Sequence, residues 1–241
     1  MILEGSLSVK AALQNGRRKV HRLLIDEKKK DRDTGYILFL AKEMNIPVER
    51  LKREELDAMA VGKTHGGVLA ETDSRIYQDL SECLKADNPF VVFLEGIEDP
   101  FNLGYIARSL AAIGCNGVVM PERDFSYSES VILKSSAGAS ERIHWVMSKN
   151  PVEDIRRMKQ AGLTCICAYR DEAVEMYDVD FKKPVVVCIG GEMRGLSRDV
   201  LKESDVNMVI PYSTDFRNAL NASSAAAAIC FEAQRQRIRG N

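Results

Sequence analysis

The stretch FVVFLEGIEDPFNLGYIARSLAAIGCNGVVMP, residues 90–121, decides the fold class. It opens on an unbroken apolar run, Phe90 to Leu94, that is rich in β-branched and aromatic side chains and short enough for a strand. A polar loop follows, and Pro100 with Asn102 starts a helix whose apolar residues recur at helical spacing to Gly114. Val118, Val119 and Met120 then begin a second strand. Strands that are apolar without alternation are covered on both faces, and a helix between two of them makes them parallel.

The same grammar repeats downstream. IHWVMS (143–148), LTCICAY (163–169), PVVVCIGG (184–191) and NMVIPY (207–212) read as strands, and 128–136, 151–161 and 196–204 read as helices. The fold class is therefore α/β, with a mainly parallel sheet. Upstream the elements are smaller: a helix over 8–15 stopped by Gly16, a strand over 19–26, a helix over 36–45, a strand over 46–51, a helix over 53–60 and a strand over 66–72. Residues 74–89 form a mostly polar helical passage ending in a proline. The expected organisation is a small α/β domain over 1–75, a linker over 76–88 and a larger domain over 89–241.

Bulk properties narrow the function classes. With 241 residues, 45% hydrophobic and 29% charged, the chain matches an ordinary globular protein that buries a sizeable core. A net charge of −1 argues against a uniformly basic nucleic-acid coat, so cationic patches must be sought by position. No secretory signal pattern and no membrane-length apolar window occur, so a cytoplasmic setting and no membrane partner are expected. Cysteines 83, 115, 165, 167, 188 and 230 form no C-x-x-C pair; buried free thiols are expected and no metal.

Ligands of parallel sheets gather at the carboxyl ends of the strands, which directs attention to four loops. The first carries Glu95, Glu98 and Asp99, an acidic cluster with little evident structural purpose, followed by Asn102 and Arg108. Asn102 alone reads as a helix cap and Arg108 as a solvated cation. The second loop is rich in hydroxyls (Ser126, Tyr127, Ser128, Ser130), which suit phosphate contacts and a turn equally, and its SSAGAS run suggests close backbone packing. IGGEMRGLS (189–197) reads by itself as a tight turn, since G-x-G-x-x-G is absent. VIPYSTDFRNALNAS (209–223) is a long polar loop before a helix with four consecutive alanines, and either Asn221 or Ser223 caps that helix.

Taken in order, NLGYIAR, GGEMRGLS and IPY…ALNASSAAAAICFEAQRQR resemble the SpoU, or TrmH-like, RNA ribose methyltransferases of the SPOUT superfamily. The amino-terminal portion, through SVKAALQNGRRKV and THGGVLAE, is similar to the ribosomal-protein-like RNA-binding domain that many members carry. The resemblance implies a deep trefoil knot at the carboxyl end of the sheet and a homodimer joined through it. It implies S-adenosyl-L-methionine as cofactor, held by Gly190, Gly191, Glu192, Ile210, Pro211, Leu220 and Asn221. It points to Arg108, Asn102, Glu192 and Asn221 for catalysis of 2′-O-ribose methylation. Ribosomal RNA is favoured over tRNA as substrate. Ala219 and Gly191 depart from the family's usual serine, and serine or alanine. The alternatives are a silent RNA-binding or ribosome-assembly factor on the same scaffold, and a nucleotide-binding oxidoreductase, for which the acidic ribose-binding residue is missing.

Between Glu4 and Asp26 no acidic residue occurs, while Lys10, Arg17, Arg18, Lys19 and Arg22 supply five cations. In an RNA-binding domain these five are the expected phosphate-binding face.

Overall fold

A computed structural model describes residues 1–62, 64–215 and 218–239. In chain order it forms β1 (Ile2–Glu4), α1 (Ser6–Asn15), β2 (Val20–Asp26), α2 (Arg32–Glu43), β3 (Val48–Leu51), α3 (Arg53–Met59), β4 (Val68–Thr72), α4 (Leu80–Cys83), β5 (Phe90–Glu95), α5 (Pro100–Ala112) and β6 (Gly117–Pro121). It continues with α6 (Glu129–Ser135), β7 (His144–Ser148), α7 (Pro151–Gln160), β8 (Thr164–Ala168), β9 (Val174–Glu175), β10 (Val185–Gly190), α8 (Arg198–Leu201), β11 (Val206–Val209) and α9 (Ala222–Arg239). Two compact units result: Met1–Ile76 with Asp124–Arg142, and Tyr77–Arg123 with Ile143–Asn241.

The amino-terminal unit has a mixed four-stranded sheet in the order β1-β4-β2-β3, with only β2 and β3 parallel. Leu3, Val9, Leu13, Leu23, Ile25, Ile37 and Val68 fill its core, and Leu133 of α6 joins them. Burial of each such side chain contributes roughly 1.5–3 kcal/mol. α1 ends on Gly16 at φ 60°, the left-handed stop expected from the sequence. α2 begins four residues before the expected Tyr36, because the Asp31 carboxylate accepts from the Thr34 N–H at 2.9 Å and caps it. The SSAGAS run is close-packed as expected: at Gly138, with φ 84°, a β-carbon would lie 2.6 Å from that of Ala11.

The residues of 124–142 are tied to this unit by a buried ion network. Arg18, 4% exposed, donates to Glu129 at 2.9 Å and to Glu141 at 2.9 Å. Arg75 donates to the same Glu141, and its backbone N–H donates to Glu129 at 3.1 Å. Arg18 therefore leaves the expected phosphate-binding face: its donors are spent inside the fold. Arg22 is also engaged, with its guanidinium forked onto Glu71 at 2.8 Å and a further bond to Glu49 at 2.9 Å.

Glu4 closes the other side of the unit. Its buried carboxylate accepts from the Val61 and Gly62 amides at 2.7 Å each and pairs with Lys134 at 3.2 Å. Burial pushes its pKa up, but the two amides and the ammonium outweigh burial, and the net shift is below the ordinary carboxylate value. A carboxylate depressed in the folded state stabilises above its unfolded pKa and loses that contribution as pH falls through the folded value. Glu4→Gln is therefore expected to cost about 2 kcal/mol at pH 7, with the gap to the unsubstituted protein closing in acid. Urea titrations at stepped pH check this; a pH-independent gap would refute it.

The carboxyl-terminal unit is built on a seven-stranded sheet in the order β7-β6-β5-β10-β8-β11-β9, and every pairing is parallel. β5 and β10 lie side by side at its centre, in register from Val185 opposite Phe90 to Gly190 opposite Glu95. Their ends bring the loops after β5 and β10 together. The polar passage 74–89 shrinks to the single turn α4, and Gln78 instead bonds the backbone of Trp145 in both directions, at 2.9 and 3.1 Å. α9 packs along α5, and both helices bury small residues: Gly104 and Ala107 on α5, Ala222, Ala226 and Ala233 on α9. At the far end of α9, Arg237 donates to the carbonyls of Phe181, Asn88 and Lys183 and lies 5.2 Å from the Phe90 ring centroid, locking the helix to the start of β5. All six cysteines are buried free thiols, as expected, and burial pushes Cys115 up to about 12. Among the described residues no helix is long and apolar enough to cross a membrane.

Candidate functional site

The site grows from the end of β5. Asp99 accepts from the N–H groups of Phe101 and Asn102 at 3.2 Å each, and Pro100 occupies the first turn, so Asp99 and not Asn102 caps α5. Asn102 keeps its amide for the cavity beside it. Glu95 has an equally definite task. Its backbone carbonyl accepts from Gly191 at 2.7 Å and its carboxylate from Ser197 at 2.7 Å, so one residue holds both ends of the loop after β10. Two of the three acids read as lacking structural purpose thus have one.

That loop is a tight turn, closed by Gly195 N–H donating to the Gly191 carbonyl at 2.9 Å. Its glycines are required by approach. A β-carbon on Gly190 would lie 2.3 Å from the Gly195 carbonyl carbon, and one on Gly191 would lie 2.0 Å from the Gly96 oxygen. The Glu192 carboxylate bonds the Ala222 N–H at 3.3 Å at the start of α9, while Asn221 accepts from Ser224 at 2.7 Å and is the cap. The Leu220 N–H donates to the Tyr212 hydroxyl at 3.1 Å, which spans the last loop. Of these bonds, the one between Glu192 and Ala222 ties the loop after β10 to the start of α9.

Between them lies a cavity of about 630 Å³ at the carboxyl ends of β5 and β10. Of the residues expected to serve the site, Asn102, Gly191 and Glu192 line it. Gly190 stands behind the turn, Ile210, Pro211 and Leu220 are half-buried, and Asn221 is exposed beside Ala222, which also lines the cavity. Arg108 is exposed on α5; among the described residues its guanidinium makes no hydrogen bond or ion pair. Glu95, Gly96, Ile97, Glu98, Asp99, Met193, Arg194, Gly195 and Ser197 complete the lining. Among the described residues Glu98 makes no hydrogen bond through its carboxylate, and Met193 is 95% exposed. Arg194 and Met193 were missed because their types at a glycine turn carry no signal of their own. Phe216 and Arg217 of the last loop lie outside the described residues.

On the amino-terminal unit, Lys10 lies 5.4 Å from the Tyr36 ring centroid and 3.6 Å from Asp33, Lys19 is exposed and Arg17 is half-buried. The turn reading of the hydroxyl-rich run gains support from Ser126 N–H, held by Asp124 at 2.8 Å, and from the Ser128 hydroxyl on the Phe125 carbonyl at 3.3 Å.

A parallel α/β unit with its cavity at the carboxyl ends of adjacent central strands is a ligand-binding arrangement, and comparison with known proteins identifies which. The SpoU rRNA Methylase family profile matches residues 89–231, and that for RNA 2'-O ribose methyltransferase substrate binding matches residues 2–78. The 23S rRNA (guanosine-2'-O-)-methyltransferase RlmB of Pseudomonas putida is 30% identical over 97% of this chain and 95% of its own. Its namesake in Shewanella oneidensis is 28% identical over 98% and 97%. The SpoU methyltransferase AviRb from Streptomyces viridochromogenes, solved in complex with AdoMet, has a TM-score of 0.83 at 24% identity, covering 100% of this chain and 91% of its own. The chain belongs to the SpoU rRNA Methylase family.

Proposed function

We propose that this protein methylates a ribose 2′-hydroxyl of structured RNA, ribosomal RNA in preference to tRNA, using S-adenosyl-L-methionine. The observation that carries the reading is the convergence of Asn102 on α5 with Gly191 and Glu192 of the turn after β10 on one cavity, in a chain with the family's ordered motifs. The cavity suits the cofactor. Its backbone is bared by glycines whose β-carbons would not fit, and its carboxylates complement a sulfonium and an ammonium group. Gly190, Gly191, Ile210, Pro211 and Leu220 hold the cofactor, with Glu192 and Asn221 fixing the turns around it. When bound, S-adenosylmethionine supplies an electrophilic methyl group.

The chain's own residues do the rest. Asn102 orients the ribose from the first turn of α5. Arg108 stays charged, grips the neighbouring phosphate and stabilises the developing alkoxide, while the hydroxyl proton passes to water. Lys10, Arg17 and Lys19 hold phosphates farther along the RNA, a contribution that weakens steeply with salt. The reading includes the carboxyl-terminal knot and a homodimer. The side of α9 bearing Ser224, Phe231, Arg235 and Ile238 is exposed, and its two apolar side chains, Phe231 and Ile238, suit a second copy. It also includes a cytoplasmic setting, which six free thiols fit.

Incubation of the protein with methyl-tritiated S-adenosylmethionine and RNA from cells lacking the gene is expected to give label in alkali-resistant dinucleotides, the signature of 2′-O-methylation. Glu192→Ala is expected to weaken cofactor binding by roughly tenfold or more in calorimetry. Label in bases would make the protein a base methyltransferase, and RNA binding with no transfer and no cofactor uptake would replace this reading with the silent assembly factor.

A further inference from the structure

We propose that the rings of Tyr36 and Phe39, with Lys10 beside them, form a stacking platform for an unpaired nucleobase of the RNA substrate; the proposal rests on the methyltransferase reading. The two rings stand one turn apart on α2, 6.3 Å between centroids and 22° from parallel. Phe39 is 55% exposed and Tyr36 40%. The core does not need them: α2 buries Thr34, Ile37 and Ala41 on its other side.

Tyr36 is held in place. Gln14 of α1 donates to its hydroxyl at 3.3 Å, and the Lys10 ammonium lies 5.4 Å from its ring centroid. Lys10 pairs with exposed Asp33 only at 3.6 Å, a weak surface contact that an RNA phosphate can displace. Two near-parallel, half-exposed rings with a cation over Tyr36 and the Phe39 ring beside it match the two parts of a nucleotide, an apolar base and an anionic phosphate. Proteins read single-stranded RNA in this way, because every unpaired base has a free π-face, whereas an A-form duplex hides its base faces in the stack. A protein partner would use the rings but has no use for an anion site next to them. The residues also lie within the stretch that matches the substrate-binding profile.

The test is fluorescence anisotropy at two salt concentrations. Its probes are a fluorescein-labelled RNA hairpin with a loop of about eight adenosines and a blunt RNA duplex of equal length, within the site sizes that stacking proteins cover. Phe39→Ala is expected to weaken hairpin binding about tenfold, the order set by one lost stack, with duplex affinity and salt slope unchanged. Phe39→Trp keeps hairpin affinity and its indole emission falls on binding, which excludes misfolding as the cause. If Phe39→Ala and Tyr36→Ala bind the hairpin as the unsubstituted protein does, the platform is wrong and a protein partner becomes the reading for these rings; if they weaken hairpin and duplex alike, the platform is wrong and the rings touch the RNA without stacking on a base. Unsubstituted protein that binds neither RNA would overturn the platform alone, since the methyltransferase reading is decided by methyl transfer and cofactor uptake.

Discussion

Arg108→Ala is expected to lower kcat for RNA methylation by about 10²- to 10³-fold, the range seen when one preorganised oxyanion donor is lost, with cofactor affinity unchanged. Arg108 lies six residues beyond Asn102 on α5, about 9 Å along the helix axis, on the face shared with exposed Phe101 and Tyr105. Arg18 and Arg22 have their forks filled by carboxylates, whereas the Arg108 guanidinium has no ion pair or hydrogen bond among the described residues. An unspent planar fork takes a phosphate bidentately. A neutral guanidine is costly, since arginine holds its proton far above physiological pH. Arg108→Lys, which keeps charge and loses the fork, should therefore remain roughly tenfold or more below the unsubstituted enzyme with the same pH–rate profile. Single-turnover methyl transfer across pH decides it. A lysine variant with most of kcat restored and a new alkaline pKa would make Arg108 the base.

Much of the carboxyl-terminal unit was legible because central strands of a parallel sheet must be apolar throughout. Phe90–Leu94 and Val185–Ile189 announce themselves, and their parallel pairing follows from the helix between strands. Short or edge elements carry no such signal: β1 has three residues and β9 two, and neither was anticipated. The start of α2 was hidden in a charged run, where Asp31 capping Thr34 outweighed the look of a loop. At the site, Gly190 and Gly191 could be singled out from the sequence, but the reason for them could not. It lies in the approach of Gly191 to Gly96, residues 95 positions apart, which no local pattern encodes. The acids after β5 show the same limit. Asp99 capping α5 is local and readable from Asp-Pro; Glu95 reaching Ser197 is not.

Arg18→Ala is expected to destabilise the amino-terminal unit by about 3–5 kcal/mol, the cost of stranding a buried charge. Here two charges are stranded, since Glu129 and Glu141 both face the lost guanidinium and Glu141 is 0% exposed. Arg75 retains its contact to Glu141 and softens the loss; Glu141→Gln, which weakens both guanidinium contacts at once, should be no milder. Because residues 124–142 belong to this unit while standing between β6 and β7 in sequence, the unit folds only when a distant piece of chain reaches it. Amide exchange should accordingly accelerate together in β2, β4 and α6 of the Arg18 variant. Fast exchange confined to β2 and β4 would refute the network as their tie to α6. RNA binding separates this structural role from the phosphate role that the sequence suggested. Lys19→Ala should lower the slope of log K against log salt by about one. Folded Arg18→Ala, measured at low temperature, should keep the full slope. A reduced slope for Arg18→Ala would place its guanidinium on a phosphate after all, and the buried network would then have to open when RNA binds.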